Sequence, residues 1–282
     1  MPEGPEVECT RLSLQAIFNK KIKQMQFTNL SQKYQKYCSK QKELDVFEDK
    51  EIKTIERKGK FLIWIFNFEK TILNHLGMSG KWIFVEENEK NPSHSKVIIK
   101  FHEFKQKVVF DDVRNFGQFR VFESYESILR YDPIRKMGID GLALPFPIDS
   151  FLTKLKRSNY INREIGEILL DQKLIAGIGN IYRSEALFQA KINPTKLVKN
   201  LSSHEKKKLG YAISDTLHRA LKCQGSSFNI QPFQTPFREE GSAQQWHNVY
   251  GKQDQPCQVC ETEITAIKNK GRRIFFCPKC QN

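Results

Sequence analysis

A chain of 282 residues that is 39% hydrophobic is long enough to bury a full core and to divide into two domains. Its 46 Lys and Arg outnumber its 32 Asp and Glu, and a formal charge of +14 excludes an acidic, solvating chain and favours polyanionic partners, nucleic acid before anionic membrane. The apolar run FLIWIF at 61–66 is far too short to span a bilayer, and the start carries no basic-then-apolar secretory signal, so the expectation is an intracellular protein with no membrane partner.

In chain order, residues 4–19 read as an amphipathic helix, with Val7, Thr10, Leu14, Ile17 and Phe18 on one stripe. From about 21 to 122 the pattern changes to short runs rich in Ile, Val, Phe and Trp, separated by turn signals such as GMSG and NPS. Many short strands at this spacing predict a sandwich or barrel. Residues 131–148 carry prolines and glycines in the manner of a linker. Helices follow: Asp149 or Ser150 can cap FLTKLKRS, INREIGEILLDQ continues the helical reading, and Ser202 with Glu205 forms a capping box ahead of Leu209, Ile213, Leu217 and Leu221.

The tail holds the strongest single pattern. Of seven cysteines, Cys257 and Cys260 form one CxxC pair and Cys277 and Cys280 another, a spacing that fits a closed four-cysteine zinc site on a β-hairpin. Four protein ligands leave no position for water, so such a zinc is structural. The strands would be EITAIK and RRIFF with NKG as the turn, and Arg272 and Arg273 would project from a rigid hairpin toward phosphate or into a groove. In DQKLIAGIGNIYRSEALF at 171–188, Gly177 and Gly179 permit a tight turn and Asn180 opens a helix, which offers backbone N–H groups to a phosphate or makes a plain turn. HLGMSG at 75–80 and DVRNFG at 112–117 are interstrand loops presenting Met78, Arg114 and Phe116. Such side chains suit insertion into a base stack, and equally suit core packing.

The start, MPEGPEVE, is open to two readings. Removal of Met1 leaves the Pro2 nitrogen as a secondary amine with a pKa of about 8, able to attack a sugar C1′, with Glu3 and Glu6 supplying protons. The same letters also describe a helix N-terminus with an early proline and acids that favour the dipole.

Taken together, PEGPEVE, GKFL with Lys60, HLGMSG, DVRNFG, DQKLIAGIGNIYRSEALF, NVYGK at 248–252 and CQVC with CPKCQ resemble the Fpg/Nei family, the formamidopyrimidine-DNA glycosylases and endonuclease VIII enzymes, in family order from residue 2 to residue 281. The resemblance implies an α+β fold: an N-terminal helix plus two-layer β-sandwich over 1–130, a linker over 131–148, a helical DNA-binding domain with a helix–two-turns–helix motif over 149–251, and a zinc finger over 252–282. DNA would lie across the cleft between the domains. It implies Pro2 as nucleophile, Glu3 as general acid, Glu6 as a further essential acid and Lys60 at the damaged-nucleotide phosphates. Asn180 would contact phosphate and Arg272, matching the zinc-finger arginine, would contact DNA. Met78, Arg114 and Phe116 would fill the void left by an extruded nucleotide, since C1′ cannot be reached while the base stays stacked.

The expected activity is a bifunctional glycosylase and AP lyase acting as a monomer on damaged duplex DNA, with one structural zinc. A non-catalytic damaged-DNA-binding zinc protein is the competing class. Several family members specific for oxidised purines carry a lysine where this chain has Gly166, and the stretch at 228–252 also departs from the purine-type capping loop. Both departures favour oxidised pyrimidines, hydantoins and formamidopyrimidines over 8-oxoguanine, whereas the full Met78–Arg114–Phe116 set resembles the purine-type enzymes.

Overall fold

The computed structural model describes residues 2–29, 39–227, 233–269 and 271–281. Two compact units result: Met1–Arg135 with Gln224–Ser242, and Lys136–Cys223 with Ala243–Asn282. Among the described residues, no helix is long and apolar enough to cross a membrane.

In the first unit, helix α1 (Gly4–Ser13) opens the chain and continues as a 3₁₀ turn at Leu14–Ile17, so the helix predicted over 4–19 ends early. Pro5 is tolerated because the first-turn N–H groups have no helical partner in any case. Among the described residues, eight strands follow: β1 (Ile22–Phe27), β2 (Ile52–Lys58), β3 (Phe61–Phe66), β4 (Thr71–His75), β5 (Lys81–Glu86), β6 (Ser95–Phe101), β7 (Gln106–Asp111) and β8 (Gln118–Phe122). They form two antiparallel four-stranded sheets, ordered β1-β6-β7-β5 and β2-β3-β4-β8, the predicted two-layer sandwich.

Its core holds Trp64 of one sheet and Trp82 of the other, their ring centroids 4.9 Å apart, with Phe110 and Phe119 packed against Trp82. Trp82 Nε1 donates to Asn74 Oδ1 at 2.9 Å, and the Asn74 amide donates to the Gln118 carbonyl at 2.8 Å. A fully buried amide thereby satisfies the indole across the sheets. Val7, Leu14 and Ile17 enter the same core and seat α1 on the sandwich.

Helices α2 (Tyr125–Arg130) and α3 (Asp132–Arg135) end this stretch. Residues 224–242, read from sequence within the helical stretch 149–251, group here instead. The reason is local packing along edge strand β5. Phe84 N donates to the Pro236 carbonyl at 3.0 Å, Phe237 stacks on Phe84 at 4.7 Å, and Lys81 donates to Gln234 at 3.1 Å. The segment therefore covers a sheet edge that would otherwise be unpaired.

The second unit holds β9 (Ile139–Asp140), α4 (Ile148–Leu155), α5 (Ser158–Ile161), α6 (Ile165–Ile168) and β10 (Ile175–Ala176), which pairs with β9 in parallel. Next come α7 (Asn180–Ala190), α8 (Ser203–Lys222) and the hairpin of β11 (Thr265–Asn269) with β12 (Arg272–Phe276). Helix α4 starts at Ile148, so Asp149 and Ser150 lie inside its first turn and do not cap it. INREIGEILLDQ is not one helix: it takes in only the last residue of α5, Ile161, and then the four-residue α6. The Ser202 capping box is present, with Glu205 N donating to Ser202 Oγ at 3.1 Å and Ser202 N to Glu205 Oε2 at 2.8 Å. Gln281 is fully buried and closes the hairpin's end. Its Nε2 donates to the Ile192 carbonyl at 2.9 Å while its Oε1 accepts from Cys277 N at 2.9 Å.

Candidate functional site

Pro2, Glu3 and Glu6 are all buried at the head of α1, whereas Met1 lies outside the described residues. Glu6 occupies the third helical position. Its Oε2 accepts from Glu3 N at 2.8 Å and its Oε1 from Ser226 N at 2.8 Å, so one carboxylate holds the N-terminal turn and the 224–242 segment of the same unit. Gly225 carries φ +83°, and a Cβ there would stand 2.7 Å from Glu6 Cγ, which only glycine avoids.

Lys60 sits buried in the β2–β3 turn. Arg57, which the sequence reading missed, organises this turn: its Nε donates to Glu8 Oε2 on α1 at 2.9 Å and its Nη1 to the Gly59 carbonyl at 3.0 Å. Burial raises the Glu8 carboxyl, but Arg11 and Arg57 outweigh it and hold the group below the usual carboxylate range. His75 was also missed. Burial, with the nearby Lys60 charge acting in the same sense, lowers its pKa to about 4. Gly77 N donates to its Nδ1 at 3.0 Å, so the ring is neutral at pH 7 and carries its proton on Nε2.

HLGMSG and DVRNFG meet. Asp112 Oδ1 accepts from Ser79 Oγ at 2.5 Å, its Oδ2 accepts from Gly117 N at 2.8 Å, and Ser79 Oγ in turn accepts from Arg114 N at 2.9 Å. Gly77 has φ +70°, and a Cβ there would lie 2.5 Å from the Phe116 carbonyl carbon, so the loops touch backbone to backbone. The Arg114 guanidinium lies 5.2 Å from the Phe116 ring centroid, and Met78 and Phe116 are 36% and 48% exposed, which rules out core packing for both. An acid at a strand end followed by a glycine-containing loop was the available signal for Asp112.

In the second unit, Gln172 braces the turn before α7. Its Oε1 accepts from Gly177 N at 3.0 Å and its Nε2 donates to the Ile178 carbonyl at 2.9 Å. Asn180 is the first residue of α7. Glu185, one turn further, accepts from Asn248 N at 2.8 Å, Val249 N at 3.0 Å and Tyr250 N at 2.8 Å, which accounts for the NVYGK stretch. Gly166 is buried, and a Cβ there would lie 2.8 Å from the Pro194 carbonyl oxygen and 2.9 Å from Ile274 Cδ1. Its missing side chain therefore has a packing cause inside this unit.

The sulfurs of Cys257, Cys260, Cys277 and Cys280 lie within 4.8 Å of one another. Cys257 and Cys280 are 3.9 Å apart, while Cys260 stands 3.4 Å from both Cys277 and Cys280. Tetrahedral coordination with metal–sulfur bonds of about 2.3 Å requires sulfur separations of about 3.8 Å, so the four residues fit one metal ion. Arg272 begins β12 and is exposed. The NKG turn includes Lys270, which lies outside the described residues, as do 228–232 in the stretch at 228–252.

The formamidopyrimidine-DNA glycosylase N-terminal domain matches residues 1–119, and the formamidopyrimidine-DNA glycosylase H2TH domain matches residues 137–232. A formamidopyrimidine-DNA glycosylase of Wolbachia sp. subsp. Drosophila simulans is 36% identical over the whole of both chains. The chain belongs to the formamidopyrimidine-DNA glycosylase family. Among solved structures, a wild-type Lactococcus lactis Fpg (MutM) complexed with DNA containing an oxidized pyrimidine is 31% identical, covers 100% of both chains and superposes with a TM-score of 0.87. A MutM in complex with DNA containing carbocyclic 8-oxo-G is 32% identical with the same coverage and the same TM-score. The family's N-terminal domain contains the Pro2–Glu3–Glu6 head and both loops, and its H2TH domain contains Asn180.

Proposed function

We propose that this family member is a bifunctional DNA glycosylase and AP lyase that removes oxidised bases from duplex DNA, acting as a monomer. The Pro2 nitrogen attacks C1′, the N-glycosidic bond breaks, and the base departs with a proton. The amine loses its own proton, and Glu3 protonates the opening sugar oxygen, leaving an iminium (Schiff base) on Pro2. Loss of a C2′ proton then breaks the bond to the 3′ phosphate and loss of a C4′ proton the bond to the 5′ phosphate. Water finally returns the free amine. Lys60 contacts the damaged-nucleotide phosphates, Asn180 and Arg272 contact further phosphates, and Met78, Arg114 and Phe116 fill the vacated stack.

The carrying observation is the buried Pro2–Glu3–Glu6 head, in which Glu6 is clamped by two backbone donors. Both carboxylates also serve a capping box at the start of α1, and their burial directly beside an N-terminal proline is what supports a proton-transferring role over a non-catalytic DNA-binding one. Zinc fits the four cysteines, which as thiolates would hold it with no open position, so it orders the hairpin that carries Arg272.

For the lesion, oxidised pyrimidines, hydantoins and formamidopyrimidines are proposed as favoured. The relatives' name and the oxidized-pyrimidine complex of the Lactococcus protein support this reading, as does the lack of a lysine at Gly166. The exposed Met78–Arg114–Phe116 set and the likeness to the 8-oxo-G complex favour a second reading, in which 8-oxoguanine is preferred.

Borohydride reduction during turnover is expected to trap an adduct on the peptide beginning at Pro2. A full-strength adduct on Lys60 would overturn the nucleophile. Cleavage rates for thymine glycol, 5-hydroxyuracil, a hydantoin, a formamidopyrimidine and 8-oxoguanine in one duplex context separate the two lesion readings, the second being established if 8-oxoguanine is excised fastest.

A further inference from the structure

Helix α7 carries an arginine one turn behind Asn180, and its side chain is fully buried. The Arg183 guanidinium reaches three elements. Its Nη1 donates to the Gly166 carbonyl of α6 at 2.7 Å, its Nη2 donates to Asn180 Oδ1, and the same Nη2 lies 3.4 Å from the Arg273 carbonyl on β12. Removing a cation from water is costly, and the planar five-donor fork of arginine is the side chain that can reach several acceptors at fixed angles.

The bond to Asn180 has a chemical consequence. Arginine is donor-only, so the amide must turn its oxygen toward Arg183 and present its NH₂ on the other side. A phosphate accepts hydrogen bonds and donates none when fully ionised. An asparagine held in this orientation shows it a donor, whereas a flipped amide would show it a repelling oxygen. The bond to the Arg273 carbonyl anchors β12 beside Arg272. Gly166 completes the arrangement, because its bare Cα lets Pro194 and Ile274 close in while its carbonyl faces Arg183.

We propose that Arg183 is a positioning residue that sets the Asn180 amide donor-outward and ties the start of α7 to the cysteine-bearing hairpin, so that the contacts of Asn180 and Arg272 with phosphate are preorganised together. This rests on the reading above that those two residues meet phosphate.

The test is a double-mutant cycle on the full-length, metal-loaded protein, with binding measured to a duplex containing a tetrahydrofuran abasic analogue. Arg183→Lys keeps the charge but loses the fork, and should weaken binding about tenfold in the wild-type background and no more than about threefold in Asn180→Ala. Equal losses in both backgrounds overturn the proposal. A second arm needs no DNA. Asn180→Asp keeps an acceptor for Arg183 and should retain a higher Tm than Asn180→Ala, although it binds the duplex more weakly than wild type. An Asp variant less stable than the Ala variant would overturn the proposal. A wild-type protein that fails to bind the damaged duplex would instead defeat the functional reading, with the stability order still deciding the role of Arg183.

Discussion

The carboxylate of Glu6 accepts the backbone N–H of Ser226 at 2.8 Å, across 220 residues of sequence. The N-terminal turn and the 224–242 segment are thus joined through a single buried acid, and Gly225 beside it has no room for a side chain.

Gly225→Ala should therefore reduce turnover more than affinity. The new methyl would press on Glu6 and also strain a left-handed backbone by about 1–2 kcal/mol. Single-turnover cleavage is expected to slow at least tenfold while the Kd for a tetrahydrofuran duplex changes less than threefold. An unchanged rate would show that Glu6 tolerates displacement.

Met78, Arg114 and Phe116 project from two loops locked together through Asp112 and Ser79. Base unstacking costs a few kcal/mol, which an inserted wedge partly offsets, and a single strand has no stack to open. Replacing all three by alanine should lower duplex cleavage roughly a hundredfold and single-strand cleavage less than fivefold. Equal losses on both substrates would indicate damage to the loops themselves.

Freshly purified protein should contain one zinc per chain, and its removal by a chelator should abolish damage-specific binding. Cys260→Ser should lower metal content and binding together, whereas Arg272→Ala should weaken binding with the zinc retained. Undiminished activity in the metal-free protein would remove the proposed role of the hairpin.

Stability should fall with acid in a defined window. His75 is lowered to about 4 by burial and then by Lys60; His247 is also lowered to about 4, chiefly by burial, with Glu185 opposing and Lys252 assisting. Both titrate near 6.5 when unfolded, so between pH 6.5 and 4 the unfolded chain binds more protons and folding weakens as pH falls. By linkage each contributes a loss of about 1–2 kcal/mol at pH 5. Urea midpoints at pH 7 and pH 5 should differ less in His75→Gln and in His247→Gln than in wild type. An identical pH difference in all three proteins would show that neither histidine is held neutral.

Much of this protein follows from short-range chemistry alone. Short apolar runs rich in Ile, Val, Phe and Trp specify the strands, Ser202 and Glu205 specify the start of α8, and two CxxC pairs specify a four-sulfur cluster, because each depends on neighbours within a turn, a strand or a hairpin. The tertiary structure decided what depends on distant partners. The sequence suggests that Glu6 is important but not that Ser226 clamps it. It shows Met78 and Phe116 without deciding between core and surface, which the Asp112 bridge and the Gly77 contact settle. The 224–242 segment follows helices in the chain yet packs on β5, because an unpaired strand edge is satisfied by whichever backbone reaches it. Gly166 read as a missing lysine, but its cause is the Pro194 carbonyl and Ile274, which are brought to it only by folding.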